Sequence, residues 1–144
     1  AVFVFLAPDC PLSQKYTLTL NELHAEFQDD GIGFFGLVAG NDFPKNDIDR
    51  FSNEYRLAFP VRQDPNFVLA DFWDASKTPE AFVVSANGAT LYKGAIDNGS
   101  PSLGQHRTVV TEHYLKDVLN GILLGEDIPY RETAATGCFI ERRR

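Results

Sequence analysis

The chain holds no methionine, a single tryptophan and only two cysteines in 144 residues. Positive charge is also scarce: Lys and Arg number 13 against 20 Asp and Glu, a formal net charge of −7. Phosphate recognition needs clustered cations, so this balance argues against a nucleic-acid surface. The one basic run, ERRR at positions 141–144, reads as a solvated tail. No apolar stretch reaches the roughly 20 residues a membrane helix needs, so no membrane span is expected in this segment. No Gly-rich phosphate loop and no pair of catalytic carboxylates stands out. No signal peptide is in view, and the sequence opens inside what reads as a core strand. Ala1 is therefore expected to follow an N-terminal part that is missing here. Two cysteines that can pair suit an oxidising space, which places the expected location outside the cytoplasm, periplasmic or secreted.

What is present describes a soluble globular domain, with 44% hydrophobic and 23% charged residues. The length suits one domain with a real core. Val2–Leu6 is a continuous apolar run, as in a strand covered on both faces. Pro11 opens a helix whose apolar face is Leu12, Tyr16, Leu20, Leu23 and Phe27, ended by Asp29, Asp30 and Gly31. Ile32–Ala39 is a second buried strand, and Pro44 opens a shorter helix with Ile48, Phe51 and Tyr55 on one face. Phe59–Pro65 reads as a brief strand and turn, and Asn66–Trp73 as a short helix. Ala81–Ser85 and Thr90–Ile96 flank Ala86-Asn87-Gly88 as a hairpin. A Gly/Ser/Pro loop follows from Asp97 to Arg107. The last helix is read on Val110, Tyr114, Val118 and Ile122, with Gly125 as its stop. The alternation implies a parallel sheet with an antiparallel hairpin at its edge, in three layers. The division expected is a domain over residues 1–125 and an extended C-terminal tail over 126–144.

Cys10, in LAPDCPLS, ends the first strand and faces the N-terminus of a helix. Unpaired N–H groups and the helix dipole there favour the thiolate, the reactive form. Ser13 is placed to donate a hydrogen bond to it. Asp9 beside it and the acidic chain oppose this, so modest activation is expected. The alternative is that Cys10 is a small buried hydrophobe, as many free cysteines are. The second signal is KTPEAFVV, Lys77–Val84, where Pro79 lies at a strand entrance because it cannot donate to a ladder.

A cysteine after the first core strand, with Thr78-Pro79 opening a C-terminal hairpin, resembles the thioredoxin superfamily. The stretch RQDPNFVLADFWDASKTPEAFVVSANGATLYKGAID resembles in particular its redoxin branch, the AhpC/TSA group that includes peroxiredoxin-like and TlpA-like proteins. The resemblance implies a thioredoxin-like α/β/α fold with a mixed central sheet and a C-terminal hairpin plus helix. It implies a cis Thr78-Pro79 bond beside Cys10, and a groove in which Pro11, Ser13, Thr78 and Pro79 meet a partner's extended chain. It also implies a thiol-based oxidoreductase, acting by thiol–disulfide exchange or weak peroxide reduction, with a protein thiol or disulfide, or a peroxide, as partner. The departures are Ser13 where a dithiol protein has its second cysteine, Asp9 in place of a usual Trp, and Ala7 in place of the peroxiredoxin Thr. The site is of the CPxS type, with a GCxI tail at Gly137-Cys138-Phe139-Ile140.

In the superfamily topology the last helix runs away from the active-site end, so the tail must climb back to reach Cys10. From Gly125 to Cys138 are 13 steps, roughly 40 Å of extended chain at about 3.3 Å per residue. Cys138 is thus a candidate resolving thiol for an oxidised Cys10. It is otherwise a free tail cysteine, or one that pairs with another chain. His24 reads as a surface residue, and His106 and His113 lack a metal spacing. Copper carriage would want a second cysteine near Cys10, so no metal and no cofactor are expected. Asn98-Gly-Ser reads as loop composition. The reading from a different class is a binding or assembly subunit, with a vestigial Cys10 and the tail docking onto a larger complex.

Overall fold

The computed structural model describes residues 1–100 and 109–142. β1 (Val2–Phe5) is the apolar opening run. Val2 and Val4 enter one buried cluster, while Phe5, with Phe3 against it, enters a second on the other face. That is why the strand shows no polar alternation. α1 (Pro11–Phe27) has Cys10 as its N-cap and Pro11 in its first turn, where a missing N–H leaves no bond unmade. Its predicted apolar stripe is buried. β2 (Phe34–Ala39) lies parallel to β1, with Val2 opposite Phe34 and Phe5 opposite Leu37. α2 (Lys45–Glu54) sends Ile48 and Phe51 into the same cluster as α1. β3 (Val61–Asp64) then pairs parallel on the far side of β2. Both crossovers step the same way across the sheet, so their right-handedness puts α1 and α2 on one face.

The turn after β3 passes through Asn66 and Phe67 at positive φ (59° and 60°) before α3 (Val68–Phe72). The buried Asp64 carboxylate accepts the N–H groups of Leu69 at 3.0 Å and Ala70 at 2.9 Å, supplying the bonds this short helix cannot make itself. α3 and Trp73 cover the second face. β4 (Lys77–Thr78), a cis Thr78–Pro79 bond, β5 (Glu80–Val84) and β6 (Thr90–Gly94) follow. The main sheet runs β3-β2-β1-β5-β6, with β5 antiparallel to β1 and to β6. α4 (Tyr114–Leu124) returns to the first face, where Leu115, Val118 and Leu119 are fully buried. The result is the expected thioredoxin-like α/β arrangement with a mixed sheet.

The last helix differs from its sequence reading. It starts at Tyr114, without Val110, and buries Leu115 and Leu119 where Tyr114 and Ile122 were expected to lead. The cause lies in Asn98, whose side-chain oxygen accepts the N–H groups of Thr111 (3.1 Å) and Glu112 (3.0 Å) while its amide donates to Thr111 Oγ1 (2.7 Å). Those bonds hold the chain extended up to the helix and engage the amide of the Asn-Gly-Ser sequence. His113, read as helical, is the exposed N-cap. His24, read as a surface residue, is half-buried between the rings of Phe34 and Phe59, with centroids 5.8 and 5.7 Å away. His106, Arg107 and the last two arginines lie outside the described residues. Among the described residues no helix is long and apolar enough to cross a membrane, and no group of three or more His, Cys, Asp or Glu is placed to hold a metal ion.

Gly125, at φ 68°, ends α4. The described tail beyond it runs back over its own domain. Tyr130 stacks edge-on against Tyr114 with centroids 4.9 Å apart. The chain then crosses the β6 edge: Lys93 donates its N–H to Arg131 and accepts that of Thr133, each at 3.0 Å. Thr133 Oγ1 meets the Tyr92 hydroxyl at 2.5 Å and the Ala95 N–H at 3.0 Å. Gly94, at φ 150°, makes this crossing possible, since a Cβ there would lie 2.3 Å from the Thr133 carbonyl oxygen. The tail ends as β7 (Cys138–Phe139), antiparallel to β4.

Candidate functional site

Cys10 is placed by backbone bonds on both sides. Its N–H donates to the Ala7 carbonyl at 3.0 Å, and its carbonyl accepts from the Gln14 N–H at 3.0 Å, the first bond of α1. The Gln14 side chain donates to the Pro8 carbonyl at 2.9 Å. The fully buried Ser13 hydroxyl accepts the Ala7 N–H at 3.1 Å. Ser13 therefore braces the strand–helix turn, a role the sequence reading did not give it. With the turn fixed, Cys10 is held as the N-cap of α1, the end of a helix at which negative charge is favoured.

Cys138 comes to this sulfur from the other end of the chain. Cys10 and Cys138 form a disulfide with their Cα atoms 6.1 Å apart and a sequence separation of 128. Of the fates open to Cys138, the structure shows pairing within the chain. The bond is framed by β4: Thr78 stands opposite Cys138 and Lys77 opposite Phe139. The Thr78 carbonyl oxygen is 3.4 Å from Cys10 Sγ, and the Thr78 hydroxyl donates to the Cys138 carbonyl at 3.5 Å. Pro79, cis to Thr78, is buried beside them. The site thus brings Cys10, Cys138, Thr78 and Pro79 together, with Pro11 in the first turn of α1 and Ser13 beneath the turn.

Cys10 is only 1% exposed and Cys138 is half-buried, so the tail is what covers the Cys10 sulfur. Beside the bond opens a cleft of about 650 Å³ with Leu6, Val38 and Phe43 on the domain side and Phe139 and Ile140 on the tail side. Asp9, Asp42 and Glu141 stand on its walls, and its described lining contains no Lys, Arg or His. Lys15, the cation nearest in sequence, bonds Ser100 Oγ at 2.9 Å. Lys77 places its ammonium 5.2 Å from the centre of the exposed Phe139 ring. On the far side of β4, the buried Glu80 carboxylate accepts the N–H groups of Ser76 (2.8 Å) and Lys77 (3.3 Å), which stiffens the segment that carries Thr78.

Three features here escaped the sequence reading. Gly137 lies against Thr78, where a Cβ would be 2.0 Å from the carbonyl oxygen. Ile140 donates its N–H to the Ser76 carbonyl at 2.9 Å and packs on the Phe5, Phe67 and Phe82 cluster. Arg142 clasps α3 and the turn after it through Asp71 Oδ1 (2.9 Å) and the Ala75 carbonyl (2.6 Å). The GCFI sequence was the only visible signal of the first two, and it shows no period that would predict docking. Arg142 lies in the ERRR run, and its bonds to Asp71 and Ala75 correct the expectation of a solvated tail there.

Among solved structures, an uncharacterized conserved protein from Geobacillus kaustophilus superposes with a TM-score of 0.86 at 20% identity, over 99% of this chain and 76% of that one. A hypothetical protein from Sinorhizobium meliloti 1021 gives 0.82 at 21%, over 96% and 77%. A secreted Mycobacterium tuberculosis disulfide oxidoreductase homologous to E. coli DsbE gives 0.56 at 18%, over 86% and 79%. These likenesses speak for the thioredoxin-like fold. A search of curated protein sequences finds no match. Residues 1–92, which carry Cys10 at its strand–helix turn and the cis Thr78–Pro79 bond, match the AhpC/TSA family, and the chain belongs to that family.

Proposed function

We propose that this protein is a thiol–disulfide oxidoreductase in which Cys10 is the nucleophile and Cys138 the resolving thiol. The observation that carries the reading is the disulfide between a cysteine capping a helix N-terminus and a cysteine delivered by the tail, beside Thr78 and cis-Pro79. In the reduced form the Cys10 thiolate attacks a partner disulfide, and one partner sulfur leaves as thiolate. Cys138, as thiolate, then attacks the Cys10 sulfur of the mixed disulfide and releases the second partner thiolate. Two electrons pass from the chain to the partner, the thiolates exchange their protons with solvent, and the chain ends as Cys10–Cys138. Ser13 is no loss here, because the second thiol arrives from the tail.

The same pair supports weak peroxide reduction through a sulfenic acid on Cys10 that Cys138 condenses with. The cleft offers little to a peroxide, since Ala7 supplies no hydroxyl and the described lining carries carboxylates without a cation. A protein partner is therefore the favoured substrate, and an oxidising compartment outside the cytoplasm suits the bond.

The test is turnover of a disulfide-bonded protein substrate by the reduced chain, with peroxide consumption measured alongside. Cys10→Ser should abolish disulfide turnover, and Cys138→Ser should accumulate a mixed disulfide between Cys10 and the substrate, visible by intact mass. Undiminished turnover by Cys10→Ser would sink the assignment. A chain whose two thiols resist both substrates would favour the assembly-subunit reading.

A further inference from the structure

We propose that the tail segment Gly137–Ile140 is a built-in template of the partner's docking sequence, so that the preferred partner carries its reactive cysteine in an extended segment reading Gly-Cys-x-aliphatic. The inference rests on the exchange reading above and adds the substrate class. Any sulfur that bonds Cys10 must come in beside Thr78, whose carbonyl oxygen is 3.4 Å from Cys10 Sγ. An extended chain that enters there pairs with β4 as β7 does, cysteine opposite Thr78. β-strand addition of this kind draws affinity from the main chain and specificity from alternate side chains.

The tail shows what each position tolerates. Before the cysteine, a Cβ would meet the Thr78 carbonyl oxygen at 2.0 Å and its carbon at 2.7 Å, both backbone atoms that cannot swing aside. Only glycine fits in that register. One residue after the cysteine the side chain points outward, with Phe139 74% exposed, and Lys77 offers a mild attraction to an aromatic ring. Two residues after it, the side chain returns inward, as the two-residue strand period requires, and Ile140 packs against the apolar cluster that contains Phe5, Phe67 and Phe82. The selected positions are thus the glycine and the aliphatic residue, with the position between them permissive.

In the exchange, the partner segment replaces β7 on β4 in the reduced chain. The Cys10 thiolate attacks the partner cysteine's sulfur and expels the other half of the partner disulfide as thiolate. The returning tail brings the Cys138 thiolate onto Cys10 and releases the partner cysteine as thiolate.

The probe is a synthetic Thr-Gly-Cys-Phe-Ile-Glu peptide whose cysteine is a mixed disulfide with thionitrobenzoate, so that attack by Cys10 releases a coloured thiolate. The reduced full chain and its Cys138→Ser variant are both used, the latter leaving the peptide on Cys10 for mass mapping. Alanine in place of the peptide's glycine, or aspartate in place of its isoleucine, should slow the reaction about tenfold or more, whereas threonine in place of its phenylalanine should change it less than about threefold. A small aromatic disulfide with no peptide reports the bare reactivity of Cys10. If it reacts with Cys10 while all peptides react alike, the template is overturned and the exchange reading stands. If Cys10 reacts with neither, both fall.

Discussion

Gly137 touches the site through the absence of a side chain. A methyl group there would press on the Thr78 carbonyl carbon and oxygen, and neither belongs to a flexible side chain. Overpacking of this sort costs about 1–3 kcal/mol. In Gly137→Ala that strain falls on the docked tail, so it weakens the oxidised form more than the reduced one. The equilibrium for reduction of Cys10–Cys138 by glutathione should shift toward the dithiol by about tenfold, taking 1.4 kcal/mol per decade. A redox titration followed by thiol alkylation checks it, and an unchanged midpoint would show that the tail docks in another register. The closeness of Cys10 to the Thr78-Pro79 pair was legible because a cysteine at a strand–helix turn and a proline at a strand entrance mark themselves by identity and place. The brace made by Ser13 was not legible, because its acceptor role depends on where the Ala7 N–H points after folding.

Among elements, β1, α1, β2 and the hairpin could be read from their periods, since burial on one face or both writes itself into the sequence. β4 and β7 could not. Each is two residues long, and what pairs them is backbone, with a glycine to allow the approach and no apolar repeat to announce it. The start of α4 was obscured in the same way, because Asn98 decides it from outside the helix. The tail itself is held by discrete polar clasps, and Thr133 is the chief one: its hydroxyl serves Tyr92 and the Ala95 N–H. Thr133→Val keeps the shape and removes those bonds; the buried Tyr92 hydroxyl keeps its bond to the Ala95 carbonyl (2.6 Å), while the Ala95 N–H is left to find another partner. The loss should be about 1–3 kcal/mol of tail docking. Amide exchange would show it as faster opening of residues 131–140, with β1 and β2 unaffected; equal protection in both proteins would make the crossing at β6 incidental.

At the scale of the whole molecule, the disulfide joins residues 128 apart and so closes nearly the entire chain into one loop. In the loop-closure picture a bond of that span stabilises the fold by about 4–5 kcal/mol. Urea titrations with and without reductant should differ by an amount of that order, and the Cys10→Ser, Cys138→Ser double variant should follow the reduced protein. A difference under about 1 kcal/mol would mean that the clasps alone hold the tail. The pH response has a definite sign as well. Burial raises the Tyr16 and Tyr92 phenols well above the ordinary value near 10, and the hydrogen bond to Asp97 raises Tyr16 further. The folded state holds these protons more tightly than the unfolded chain. Their contribution is complete below the unfolded value and is lost as pH rises above about 10. Thermal melts of the oxidised protein should fall steeply there, and less steeply for Tyr16→Phe; equal slopes would remove Tyr16 as a cause. The clasp at Thr133 reaches beyond stability. Cys138 lies only five steps along the chain from Thr133, a tether with a reach of roughly 12 Å. Such a leash keeps the released thiol near β4 at an effective concentration on the order of millimolar, however dilute the protein. In the exchange proposed above, a visiting disulfide at micromolar levels would compete with that resident strand from a thousandfold disadvantage, so only segments that grip the edge far better than chance would be exchanged.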